Sequence, residues 1–230
     1  MVNMVIKEQG IEIELVRKSV KNLSIRISRE GKVTLTVPKK MPENEALKFF
    51  RQKISWVKSK IDIVNERLEF NFSDGERFFI FGKETVFKVV NSKENKVVFD
   101  IGKVTVFAEN IPAVMRLFEG FIKQFFYECA EQYLKYWSTV TGFKYTDFKI
   151  KKTVSTWGSC NTAKGNISLS LYLVFLPVEC LNYVALHEIC HLKYSNHGEG
   201  FKNMLSFYMP KWKSVRKYMK ENSRKFIVNI

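Results

Sequence analysis

The stretch Tyr183-Val184-Ala185-Leu186-His187-Glu188-Ile189-Cys190-His191-Leu192, followed by Ser195-Asn196-His197-Gly198, decides how this chain of 230 residues is read. The chain has three histidines, and all of them lie between His187 and His197. The apolar neighbours Val184, Ala185, Leu186, Ile189 and Leu192 predict a largely buried helix. On a helix, positions four apart share a face one turn apart, so His187 and His191 can present ring nitrogens to one ion. Zinc accepts such ligands at about 2.0–2.1 Å and in catalytic sites keeps three protein ligands and a water. Glu188, next to the first ligand, is then placed to take a proton from that water. H-E-x-x-H alone is moderately specific. Imidazole and carboxylate groups inside an apolar helix need partners, however, and the third histidine nearby strengthens the metal assignment.

His197 reaches the same ion only if the chain changes direction, because a continuing helix would rotate it off the metal face. Ser195-Asn196-His197-Gly198 supplies residues that end a helix and turn. His197 is therefore the expected third ligand, with Glu199 in reserve if His197 faces away. The register matches the H-E-x-x-H-x-x-G-x-x-H pattern of metzincins, but Tyr194 occupies the glycine position and no Met-turn context follows. A different scaffold with convergent ligand spacing is expected.

Working outward, the metal helix should open at Pro177 and run to about Tyr194. Before it come a strand over Phe148 to Val154, a polar turn over Cys160 to Gly165, and a strand over Asn166 to Val174. A long helix opened by Pro112 and closed near Thr141-Gly142 carries Val114, Phe118, Phe121, Phe125, Cys129, Tyr133 and Trp137, a stripe that reads as core packing. Four short strands precede it, Phe78 to Phe81, Thr85 to Val90, Lys96 to Asp100 and Lys103 to Phe107, each break holding turn residues. Leu47, Phe50, Ile54, Val57, Ile61 and Val64 have the spacing of one helix after Pro42. Ile11, Ile13 and Leu15, then Leu23, Ile25 and Ile27, then Val33, Leu35 and Val37 alternate as strands of a small antiparallel meander, with a turn at Arg29-Glu30-Gly31. After the motif come a short helix over Phe201 to Met209 and a basic helix from Trp212 to about Arg224. The expected class is α+β: a β-rich region with one helix over 1–110 and a catalytic region over 111–230, the boundary resting on composition. No internal repeat or linker is visible.

Hydrophobic residues make up 46% of the chain and aromatic residues 14%, which supports a sizeable core and excludes global disorder. Lys and Arg number 38 against 23 Asp and Glu, a net charge of +15 that is spread over nearly every segment. It permits an anionic partner without specifying one. The apolar run from Ile167 to Val178 is interrupted by Ser168, Ser170 and Pro177, so no membrane span is expected. The first residues show no secretion signature, and a cytoplasmic address is expected. Cys129, Cys160, Cys180 and Cys190 are widely spaced and read as reduced, structural thiols.

Trp157-Gly158-Ser159-Cys160, Gly165-Asn166-Ile167-Ser168-Leu169, the stretch from Tyr183 to Leu192, and Asn196-His197 before Phe201 together resemble the YgjP-like metallopeptidase family, relatives of the SprT-like and WLM zincins. The resemblance extends over most of the chain, including the amino-terminal strands and the Trp56-containing helix. It implies a zincin-like fold with a mixed sheet beside the active-site helix, one zinc ion held by His187, His191 and His197, and Glu188 as catalytic base. Thr156 stands where the family pattern has a basic residue, and Ser170 where it has an asparagine. The Trp157-Gly158-Ser159-Cys160 segment either lines the cleft or is a turn with a packed tryptophan.

Three functions follow as expectations. The first is a zinc-dependent hydrolase of metallopeptidase type, in which metal-activated water attacks a peptide carbonyl of a peptide or protein substrate that adds to the strand near Asn166 to Val174. The second is a metal-dependent pyrophosphatase acting on a nucleoside triphosphate, an activity attributed within the family, although the chain has no glycine-rich phosphate loop. The third is a nucleic-acid-associated protein with a secondary metal site. It would use Lys211, Lys213, Arg216, Lys217, Lys220, Arg224 and Lys225 interleaved with Trp212, Tyr218 and Phe226.

Overall fold

The alternation of Ile11, Ile13 and Leu15 with polar neighbours builds β2 (Ile11–Lys18), whose odd-numbered side chains Ile13 and Leu15 are almost fully buried. The computed structural model describes residues 3–28, 31–65, 70–153, 156–223 and 226–228. Arg29 and Glu30 of the expected turn, the side chain of Val64, Val154 of the expected strand, and Arg224 and Lys225 of the basic tail lie outside the described residues. β2 is flanked by β1 (Asn3–Glu8) and β4 (Val33–Pro38), and β3 (Ser24–Ile27) completes a sheet in the order β1-β2-β4-β3. Its centre departs from the expected meander: β2 and β4 run parallel, with Leu15 opposite Leu35. Alternation specifies which face of each strand is apolar, and here both orientations bury the same residues.

The helix expected after Pro42 is two helices, α1 (Glu43–Gln52) and α2 (Ile54–Asn65). Between them the Lys53 N–H bonds the Phe50 carbonyl three residues back and Lys53 adopts ψ 5°, which interrupts the regular ladder. Ala46, Phe50 and Val57 close the core over Ile13, Leu15, Leu35 and Val37.

A second sheet, β5 (Arg77–Ile80), β6 (Lys83–Asn91), β7 (Lys96–Asp100) and β8 (Lys103–Ala108), has the order β5-β6-β8-β7 with β6 and β8 parallel. This repeats the order and directions of the first sheet. Each opens on a two-residue hairpin loop with both residues at positive φ, Gln9-Gly10 and Phe81-Gly82, as a type I′ turn requires. The recurrence lies in topology and turn type, which the apolar pattern does not carry.

α3 (Ile111–Thr141) follows, capped by the Asn110 side chain accepting from the Ala113 N–H at 3.0 Å and ended by Gly142 at φ 75°. Its most buried line runs through Phe118, Ile122, Phe126, Ala130, Leu134 and Trp137, with Phe121, Phe125, Cys129 and Tyr133 half-buried beside it. Phe118 meets Phe78 and Phe87 at ring-centroid distances of 5.3 and 5.0 Å, with Phe70 and Phe72 in the same cluster. A boundary at 110 would cut through this core. The compact units instead divide after α2, as Met1–Arg67 and Leu68–Ile230.

The rest of the second unit carries the site. β9 (Asp147–Lys151), β10 (Gly158–Asn161) and β11 (Asn166–Ser170) form a three-stranded mixed sheet in the order β10-β11-β9. β11 ends four residues earlier than expected. The Ser170 hydroxyl donates to the Thr153 carbonyl and accepts from the Tyr172 N–H, starting a 3-10 helix over Leu171–Phe175. Ser170 is fully buried, so it serves the fold and not a substrate. α4 (Val178–His191), α5 (Glu199–Tyr208) and α6 (Trp212–Asn222) complete the chain. The result is the expected α+β class, and no helix among the described residues is long and apolar enough to cross a membrane.

Candidate metal centre

α4 is apolar nearly all round and is packed against α3, β10, α5 and α6. Trp137 of α3 donates from Nε1 to Asn182 Oδ1 at 2.7 Å and ties the two helices together. Glu188 projects from this helix and is only 3% exposed. Its Oε2 has no hydrogen-bond partner, and burial pushes its carboxyl up to about 8. A buried, unpartnered carboxylate oxygen is costly unless something outside the protein supplies the partner.

The helix ends at His191, and the following segment turns back as the sequence predicts, with the Asn196 Oδ1 accepting from the Gly198 N–H at 3.0 Å. The turn brings His197 to the other two histidines: the Nε2 atoms of His187 and His197 are 3.0 Å apart. One ligand atom from each of His187, His191 and His197 lies within 4.8 Å of the others. Two nitrogens on one tetrahedral zinc stand about 3.4 Å apart at bond lengths of about 2.0–2.1 Å, so the cluster fits a shared ion with small adjustments. Glu199 is exposed, opens α5, and is not part of the cluster.

Hydrogen bonds orient the rings. His191 Nδ1 faces the Tyr194 carbonyl at 2.9 Å; a carbonyl only accepts, so this nitrogen carries the proton and Nε2 keeps its lone pair. Tyr194, at the metzincin glycine position, thus contributes its main chain. His187 Nδ1 has the Tyr183 hydroxyl at 3.4 Å. Phe201 packs its buried ring against all three imidazoles at 4.7 to 4.9 Å. Burial, then the neighbouring histidines and Arg216, lowers His187 to about 3. His197 is lowered too, first by burial and then by His191 and Arg216. Both rings are neutral at physiological pH, as ligation demands.

The other side of Glu188 is β10. A Cβ on Gly158 would stand 2.8 Å from Glu188 Cγ and Cδ and closer still to Oε1, so only glycine leaves this carboxyl its place. Of the Trp157-Gly158-Ser159-Cys160 segment, Trp157 and Gly158 therefore line the cleft, and Gly158–Asn161 is a strand and not a turn. The strand near Asn166, expected to receive a substrate, is paired on both sides. Among the described residues the outer strands of this sheet are β9 and β10, and β10 is the one against Glu188: the Trp157 carbonyl accepts from the Ser170 N–H, and ladder alternation then directs the main-chain groups of Gly158 and Cys160 outward. Burial raises Cys160 to about 11 and Cys180 and Cys190 to about 12, so these thiols are protonated and inert. Sequence reasoning missed Phe201, Tyr183 and the Gly158 contact. The glycine in Trp157-Gly158-Ser159 was the only visible signal for that contact.

The aromatics of the basic tail face inward. Trp212 is buried against Tyr183, and Phe226 packs on Phe79 at 4.9 Å. They offer no stacking platform for nucleic-acid bases.

Three converging imidazoles and a buried carboxyl on an H-E-x-x-H helix are the groups that a metal-dependent hydrolase site uses. The model of the YgjP-like, metallopeptidase domain family matches residues 21–222, and the chain belongs to that family and is a hydrolase of metallopeptidase type. Among solved structures, the metallopeptidase zymogen abylysin of Pyrococcus abyssi is similar at 21% identity and TM-score 0.38, over 43% of this chain and 99% of its own. The zymogen jannalysin of Methanocaldococcus jannaschii is similar at 21% identity and TM-score 0.37, over 40% and 94%. No individual curated protein matches.

Proposed function

We propose that His187, His191 and His197 hold one zinc ion and that Glu188 is the general base of peptide-bond hydrolysis. The observation that carries this reading is the buried, unpartnered Oε2 of Glu188 on the same helix as two of three convergent imidazoles. Bound zinc supplies Lewis acidity, polarising the scissile carbonyl and lowering the pKa of the attacking water. Glu188 accepts the proton that water loses as its oxygen bonds the carbonyl carbon, then passes it to the leaving nitrogen as the C–N bond breaks. The substrate chain runs along the free edge of β10, where the outward main-chain groups of Gly158 and Cys160 pair with it. This places the extended chain beside Glu188 without any further side chain.

Elemental analysis and cleavage of a flexible protein test the reading together. Glu188→Gln should keep its zinc and lose about 10²–10⁴-fold in rate; His187→Ala should lose the metal. Active, zinc-replete Glu188→Gln protein would remove Glu188 from its role. Pyrophosphate release from a nucleoside triphosphate by zinc-loaded protein, without peptide cleavage, would replace the substrate class.

A further inference from the structure

The cleft over Glu188 has a volume of about 450 Å³ and is walled by three elements: Gly158 opens β10, His187 and Glu188 come from α4, and Arg216 and Lys220 from α6. The third wall is chemically unlike the others. Arg216 and Lys220 are four apart on one helix, an arrangement of like charges that mildly destabilises the helix bearing it. Among the described residues no carboxylate pairs with either cation, and neither makes a hydrogen bond. Among the described residues Glu188 is the only carboxylate lining the cleft.

The wall is also mounted firmly. Trp212, one turn before Arg216, is buried, lies parallel to the Tyr183 ring, and donates from Nε1 to Ser206 Oγ at 2.9 Å. Met219, next to Lys220, is buried as well. Arg216 therefore stands on a helix anchored on both sides of it, and lines the same cleft as Tyr183 and His187. The anchors fix the helix, while the Arg216 side chain is exposed and presents a planar fork that matches a carboxylate in two-pronged geometry.

We propose that Arg216, assisted by Lys220, is an anion-recognising subsite of this cleft, and that the preferred substrate is a peptide carrying a carboxylate close to the scissile bond. The proposal rests on the peptidase reading for its substrate class. The carboxylate comes from an acidic side chain or from the free C-terminus of the substrate. A peptide is favoured over a polyphosphate because the free β10 edge binds extended main chain, whereas the cleft presents Trp157, Val184 and Met219 between its charges.

The test measures equilibrium binding of fluorescent heptapeptides to zinc-loaded Glu188→Gln protein and their cleavage by zinc-loaded wild type. One glutamate is walked through an otherwise neutral sequence, each peptide has a glutamine twin, and each is made with a free and an amidated C-terminus. At one glutamate position, or with the free terminus, binding should be at least tenfold tighter than for the neutral twin. Adding Arg216→Gln should abolish the preference while neutral peptides bind as before; Lys220→Gln should weaken it less. Equal binding of acidic and neutral peptides, or a preference that survives loss of both cations, overturns the proposal, as does binding of nucleoside triphosphates but of no peptide. Cleavage without acidic preference sinks the subsite and leaves the peptidase. Arg216-dependent binding of acidic peptides without cleavage leaves the subsite and sinks the peptidase.

Discussion

Removing the charge of Glu188 should stabilise the metal-free protein, and the size of the effect follows from where the carboxyl sits. Burial raises it from its ordinary 4.5 to about 8, and the side chain is 3% exposed, so little solvent screening reduces the cost. Between those two values the folded state binds more protons than the unfolded state, so stability falls as pH rises through the window. At about 1.4 kcal/mol per pH unit, the penalty is about 1 kcal/mol at pH 5 and approaches 5 kcal/mol at pH 8.5. Glu188→Gln has no such penalty. Urea unfolding of chelator-treated wild type and variant at both pH values should show the variant's advantage widening by about 4 kcal/mol. The opposite dependence from His187, whose lowered value of about 3 makes stability rise with pH up to about 6.5, is common to both proteins and cancels in the comparison, as does the unfolding of the amino-terminal unit. Parallel pH profiles for the two proteins would refute the claim that this carboxyl is desolvated and unpaired.

Gly158→Ala puts a methyl where the end of the Glu188 side chain lies; that end can swing away, so the fold and zinc content should survive while kcat drops on the order of 10²-fold, and unchanged kcat would place the general base elsewhere. Phe201→Ala removes a buried ring in contact with all three imidazoles; it should cost about 3–5 kcal/mol in unfolding free energy and weaken zinc affinity, and a variant with wild-type zinc affinity would show that the ring does not hold the histidines.

What could be read from the sequence was local. His187, Glu188 and His191 are related by one helical turn, and His197 followed from the turn residues Ser195-Asn196-His197-Gly198 six positions on. The strands β5 to β8, β9 and β11 were visible because alternation and turn residues are short-range signals, whereas β10, with no apolar alternation in Gly158-Ser159-Cys160-Asn161, was read as part of a turn. Pairing is not short-range: alternation along Ile13, Leu15, Val33 and Leu35 is equally satisfied by parallel and antiparallel neighbours, and the meander was the wrong choice. The same blindness put the substrate on β11, since a central and an edge strand of this length look alike in sequence. The boundary near 110 followed a change from strands to helix, whereas the actual division follows which phenylalanines share a core. In the tail the charges were evident, but the inward direction of Trp212 and Phe226 depends on Tyr183 and Phe79, far away in the chain.

One physical cause, exclusion of water from α4, has opposite effects on the two kinds of group the site needs. It keeps His187 unprotonated, which readies it as a ligand, and it keeps Glu188 protonated, which disables it as a base. At pH 7 a carboxyl titrating near 8 is about nine-tenths protonated, so the metal-free site is poised to bind and unable to catalyse. A divalent cation arriving beside Glu188 favours its carboxylate, and uptake at pH 7 should therefore expel close to one proton from Glu188 and none from His187. Calorimetric zinc titrations in two buffers of different ionisation enthalpy count that proton. Glu188→Gln should remove it from the count while leaving the three imidazoles to bind. If the variant releases as much as the wild type, the proton comes from the bound water or from a histidine, and burial is not what couples the base to the metal.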